Sequence, residues 1–87
     1  MEVMPAITMI PLAIRKMGLR GIPGRWVEET LSSPDETVPG YGGRLVAQRV
    51  YVVNRKRMML RVVYERVNKD YVVVTAYLTS QVTRYRK

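Results

Sequence analysis

The sequence predicts an α+β domain, with two short N-terminal helices packed on one face of a three- to four-stranded antiparallel β-meander. Three observations predict it. Apolar residues recur at helical spacing early in the chain, each run opened by a proline. From Arg44 onward they alternate with a period of two, interrupted by two short polar turns. Finally, 87 residues form a single domain with one modest core, so both helices must bury their apolar stripes on the one available sheet.

Residues 2–9 suit a short edge strand or an extended arm, because Pro5 excludes a central strand. Pro11 fits the first position of a helix, with Leu12, Ala13, Met17 and Leu19 as its apolar stripe and Gly18 or Gly21 as its stop. Pro23 opens a second helix. Its pairs Trp26 with Thr30 and Val27 with Leu31 turn Trp26, Val27 and Leu31 to the core. Glu28 and Glu29 then face solvent, and Pro34 ends the helix. Residues 34–43, rich in Gly and Pro, read as turn chemistry throughout. Strands follow at 44–53, 58–67 and 70–79, joined by turns at 54–57 and 68–70. Residues 81–86 form a short fourth strand or a tail.

A tight turn at 68–70 pairs Val62 with Ala76 and Arg61 with Tyr77. Leu60, Val62 and Tyr64 then share the helix-covered face with Val72, Val74, Ala76 and Leu78. Tyr71, Val73, Thr75, Tyr77 and Thr79 take the other. For the first strand, the favoured register places Val46, Val50 and Val52 under the helices, with Gln48 partly buried among them. Arg49 and Tyr51 are thereby sent outward beside Arg61. A slip of one residue reverses that assignment.

The net charge of +8 is unevenly spread: residues 1–43 sum to −1 and residues 44–87 to +9. Such asymmetry suits nucleic acid or an acidic partner, although surplus charge also serves solubility. Arginine outnumbers lysine eleven to four, which fits phosphate recognition and equally a thermophilic source. With neither cysteine nor histidine, the chain has no disulfide, no thiolate nucleophile, and neither the commonest general base nor the commonest zinc ligand. No metal site or cofactor is expected. The acidic pairs Glu28-Glu29 and Asp35-Glu36 lack His or Cys beside them. Gly40, Gly42 and Gly43 lack the strand–loop–helix context of a phosphate cradle and read as a connector. No apolar run approaches a membrane span, and the apolar start lacks the basic flank of a signal peptide, so the expected location is cytoplasmic.

The exposed sheet face would carry Arg49, Tyr51, Arg61, Thr75, Tyr77 and Thr79, with Arg84 and Tyr85 at its C-terminal end and Arg44 at the start of the first strand. Arginines neutralise phosphate, tyrosines stack on bases, and threonines reach phosphate or sugar oxygens. The favoured partner is RNA. An ordinary solvent-facing pleat, on which the same residue types pack well, stays open as the alternative. Arg55, Lys56 and Arg57 form a basic hairpin tip, which is either a phosphate contact or simply a solvated turn.

The run from Leu12 to Thr79 resembles a small prokaryotic domain-of-unknown-function family. Its residues here are Ala13, Lys16 and Met17, Arg20-Gly21-Ile22, Val27-Glu28, Leu31, Pro34-Asp35, Leu60-Arg61-Val62-Val63-Tyr64, Val74-Thr75-Ala76-Tyr77 and Thr79. That family is similar to the RelE-like and barnase-like toxin nucleases, many of which cut RNA without metal. The resemblance implies a RelE-like fold and a metal-independent endoribonuclease of toxin–antitoxin type. In that role Arg61 and Arg49 would stabilise the phosphate, and Tyr77 would stack a base or act as acid or base. Arg84 and Tyr85 would close the site. An acidic antitoxin protein would cover the basic face. The sequence departs from the family where the family's histidine falls at Leu12 and the helix-capping Ser/Thr at Ile10. A non-catalytic member that binds nucleic acid or protein is therefore the competing expectation. A homodimer through strand edges or the Tyr/Val-bearing face is compatible with both.

Overall fold

The structure, a computed structural model, describes residues 5–85. The chain enters as an edge strand, β1 (Ile7–Met9), and Pro11 then sets the first turn of α1 (Pro11–Arg20). Gly21 ends that helix in the left-handed region at φ 65°. Its N–H and that of Ile22 return to the carbonyls of Gly18 and Met17. Ala13 and Met17 make the buried side. Leu12 and Leu19, expected in the stripe, are 52% and 79% exposed, because they fall roughly 100° round the helix from Ala13.

Pro23 stands at the N-cap of α2 (Gly24–Ser32), which buries Val27, Thr30 and Leu31 and half-buries Trp26. Thr30 avoids an unpaired buried hydroxyl by donating to the Trp26 carbonyl at 2.7 Å. The next segment corrects the sequence reading. Within 34–43 lies a strand, β2 (Glu36–Pro39), followed by a 3-10 turn at Tyr41–Gly43. Thr37 and Val38 are β-formers, and Pro39 is tolerable because β2 is an edge strand.

Three long strands follow: β3 (Leu45–Val53), β4 (Lys56–Val67) and β5 (Asp70–Thr79). The sheet is mixed and five-stranded in the order β1-β5-β4-β3-β2, with β1 parallel to β5 and the other pairs antiparallel. The last described element is not a strand but a one-turn helix, α3 (Val82–Tyr85). Among the described residues the architecture is therefore α+β with three helices and five strands, larger on both counts than the sequence suggested. Among the described residues, no helix is long and apolar enough to cross a membrane.

The β3–β4 turn holds only Asn54 and Arg55, both at positive φ (51° and 66°), and closes on the pair Val53–Lys56. A two-residue turn of this kind matches the twist of its strands. It also fixes parity: Ala47 faces Val62 and Arg49 faces Leu60. The favoured β3 register was thus off by one residue. Ala47, Arg49 and Tyr51 share the helix-covered side, while Val46, Gln48 and Val50 lie on the opposite, distal face. In β5, Val74 is an extra residue, since Val63 faces Thr75 but Tyr64 faces Val73. This bulge turns Tyr71 and Val73 onto the helical side together with Ala76 and Leu78, reversing the expected placement of residues 71–74. The predicted pairs Val62–Ala76 and Arg61–Tyr77 are present.

The main core lies under α1 and α2, where Ala13, Met17, Val27 and Leu31 meet Ala47, Leu60, Val62, Tyr64, Val73 and Ala76. On the distal face a second, small apolar cluster is buried: Val38, Val46, Met59 and Val82.

Candidate nucleic-acid interface

Across the distal face, one cross-strand row reads Glu36, Gln48, Arg61 and Tyr77. Gln48 is fully buried. Its amide cannot stay unpaired in that setting. The side chain donates from Nε2 to the Tyr85 carbonyl at 3.2 Å and accepts at Oε1 from Arg61 Nε at 2.7 Å. Arg61 also donates from Nη1 to the Tyr77 hydroxyl. The Tyr85 ring covers the guanidinium with its centroid 4.0 Å away, and the Tyr77 ring lies at 5.6 Å. Sheet, bulge-free pairing and α3 together hold one half-buried cation in a fixed orientation.

Among the described residues, every hydrogen bond of Arg61 goes to a neutral group, and no carboxylate lies within ion-pair distance. Buried charges normally find a counter-ion. Along β4 Arg61 is flanked on its own face by Met59 and Val63, while its neighbours across and beyond β5 are polar or basic. Thr75 and Thr79 lie on its face in β5, and Arg84 stands 5.5 Å from the Tyr85 ring while donating to Gln81 at 3.0 Å. Arg57 lies on the same side of β4, two alternations away, and is exposed.

The structure thus gathers Arg61, Thr75, Tyr77, Thr79, Arg84 and Tyr85 and separates them from Arg49 and Tyr51. The latter two lie across the sheet beside α2. Tyr51 stacks on Trp26 at 4.4 Å and 11°. Its hydroxyl sits 3.2 Å from both the Trp26 carbonyl and a Glu29 oxygen. Arg49 donates to the Ser33 carbonyl at 2.9 Å and covers the Tyr51 ring at 5.7 Å. The expected pairing of Arg49 with Arg61 therefore fails, because parity puts a sheet between them. Burial pushes the Tyr51 phenol above its ordinary value and the Glu29 carboxylate adds to this, against Thr30 and Arg49. Arg44 is paired with Glu65 at 3.2 Å. Arg55 sits at the hairpin tip, with Lys56 and Arg57 exposed at the start of β4.

Sequence reasoning missed two residues. Gln48 is a lone amide in a valine-rich strand, a signal that was read for the wrong face. Arg20 reaches from α1 to the Thr75 hydroxyl at 3.3 Å and the Ala76 carbonyl at 2.8 Å, and no sequence pattern announces that contact. A separate groove of about 460 Å³, lined by Pro5, Ile7, Glu28, Ser32 and Tyr71, lies between α2 and β1, away from Arg61. Among the described residues, no cluster of acidic side chains is placed to hold a metal ion. No family model, no curated protein and no solved structure matches this chain.

Proposed function

We propose that the distal face binds single-stranded RNA, with Arg61 taking a phosphate and the tyrosines beside it offering rings to bases. The observation that carries this reading is the half-buried Arg61 guanidinium, held by Gln48 and Tyr77 and facing no carboxylate among the described residues. Fixed orientation lowers the entropy lost on binding, and a partly dry setting strengthens attraction for an anion. The +8 charge brings a polyanion to the surface. On this reading the chain is a RelE-like member that keeps a binding face without the family's histidine.

Cleavage is the second reading, favoured by the Arg61–Tyr77 hydrogen bond, which sets a phenol hydroxyl beside the guanidinium that would hold the phosphate. Arg49 takes no part in it. An acidic antitoxin would then compete with RNA for the distal face.

The test is fluorescence anisotropy of a labelled oligoribonucleotide across a salt series, with EDTA present and the RNA recovered and sized afterwards. Binding that weakens with salt and is lost in Arg61→Ala supports the first reading. Shortened RNA in EDTA, absent with Tyr77→Phe, supports the second. No binding at low salt refutes both.

A further inference from the structure

The outer edge of β5 is only half covered. β1 pairs with Tyr71, Val72 and Val73 and then turns away into α1. Because β1 runs parallel to β5, Ala6 just before it lies at the Asp70 end of β5, where its carbonyl accepts from the Tyr71 N–H at 2.9 Å. Among the described residues, no strand pairs with 74–79 on that side. The Ala76 carbonyl points outward, as its bond from Arg20 shows, and by alternation the Leu78 N–H and carbonyl point the same way. The stretch Tyr71–Thr79 contains no charged residue and no proline. Natural edges are usually protected by such residues, so this one is a ready template for strand addition.

α1 packs over β5 and stands beside that edge. Arg20 reaches the edge directly, so residues on the same flank of the helix overlook it. Helical spacing puts Leu12, Lys16 and Leu19 on that flank, with Leu12 and Leu19 exposed. α1 carries no acidic residue. An occupant therefore meets the open N–H of Ala76, the open N–H and carbonyl of Leu78, two exposed leucines, and the cations Lys16 and Arg20, the latter holding the Ala76 carbonyl that an added strand would take over.

A second copy of this chain would offer the matching backbone, since an antiparallel pair about Tyr77 is self-complementary. Its two-fold symmetry, however, would bring Lys16 and Arg20 toward their own counterparts. A chain of opposite charge has no such conflict. We infer that the open edge of β5 takes an extended, acidic, apolar-studded segment of a partner polypeptide as a sixth strand, anchored by Arg20. This mode uses backbone pairing for affinity and side chains for selectivity. It does not depend on the distal face binding RNA.

The probe is a ten-residue peptide alternating valine and glutamate, added to the full-length, isotope-labelled protein and followed by amide exchange and chemical shifts. A matching valine–lysine peptide is the control. The expected result is slowed exchange at Ala76 and Leu78, shifts confined to residues 74–79 and α1, and no response to the lysine peptide. Arg20→Glu should weaken the acidic peptide by about tenfold or more, the value of one interfacial charge pair. Three results would overturn the proposal. One is equal binding of both peptides. Another is shifts at Arg61 and Tyr77 with none at the edge. The third is protection of Ala76 and Leu78 that rises with protein concentration alone, which would put a second copy there.

Discussion

Replacing Arg61 and Gln48 together separates function from stability at the candidate interface. In Arg61→Ala alone, Gln48 Oε1 loses its donor inside the protein. An orphaned buried acceptor costs about 2 kcal/mol, or roughly 8–16 °C of Tm for a domain of this size. In the double variant Gln48→Leu with Arg61→Met, both polar groups go and similar volume stays. Replacing both partners of a hydrogen bond by apolar groups of the same shape is nearly neutral, less the bond that Gln48 gives the Tyr85 carbonyl. The expected outcome is a double variant more stable than Arg61→Ala that has lost RNA binding. The assays are thermal unfolding by circular dichroism and anisotropy over a salt series. A phosphate contact at Arg61 adds about 0.7 to the salt slope for a single strand, which the variant should lack. The reasoning is refuted if the double variant is as unstable as Arg61→Ala. The row would then be structural, and a guanidinium with no carboxylate partner among the described residues would say nothing about a ligand. An unchanged salt slope in a folded variant would refute the phosphate contact itself.

Arg49→Ala should leave RNA affinity and salt slope close to wild type in the same titration, because Arg49 lies across the sheet from Arg61. Arg55→Gly should raise stability by about 1 kcal/mol in chemical denaturation, since Arg55 holds φ 66° in the hairpin turn, where a side chain is strained. Alkaline pH should destabilise the protein. Burial raises the pKa of both Tyr51 and Tyr64 above 10.0, so the folded state keeps phenol protons that the unfolded state releases. Their contribution is therefore fully present below pH 10.0 and is lost as pH climbs toward the folded values. A Tyr51→Phe, Tyr64→Phe variant should show a flatter decline of Tm on that limb.

The elements that the sequence predicted well are those in which local signals act alone. Pro11 and Gly21 bracket α1, and the Val27–Leu31 pair faces the core, because proline geometry, left-handed glycine and helical spacing need no distant partner. β4 and β5 pair as expected because their turn is short. The misses share a cause of another kind. β2 is four residues long and becomes a strand only through β3. The β3 faces depend on whether the hairpin turn has two residues or an odd number, and Asn54-Arg55-Lys56-Arg57 gives no Asn-Gly or Asp-Gly signal to decide it. The bulge at Val74 sits in a run of three valines, where alternation has no contrast from which to show a slip. Of the candidate residues, the pairing of Arg61 with Tyr77 was legible from the turn at 68–70, while Arg49 and Tyr51 were misplaced by the parity of the turn at 54–57.

That parity has a consequence for binding. Had Arg49 and Tyr51 shared the face of Arg61, the site would be an open, solvated sheet with two arginines about one strand apart. Its attraction for phosphate would be screened nearly as in water, roughly 1 kcal/mol for a charge pair at 4 Å. Instead Gln48 takes that neighbouring place, and α3 closes over Val46 and Met59. Arg61 stands at the border of a small apolar cluster, beneath the Tyr85 ring that Arg84 also approaches. At the effective dielectric of such a border the same contact is worth about 4 kcal/mol before the phosphate's own desolvation is subtracted. One oriented arginine in a partly dry setting can thus outweigh a solvated pair. On the proposed RNA-binding reading, the division of the basic residues between two faces would concentrate the anion site without adding charge to it.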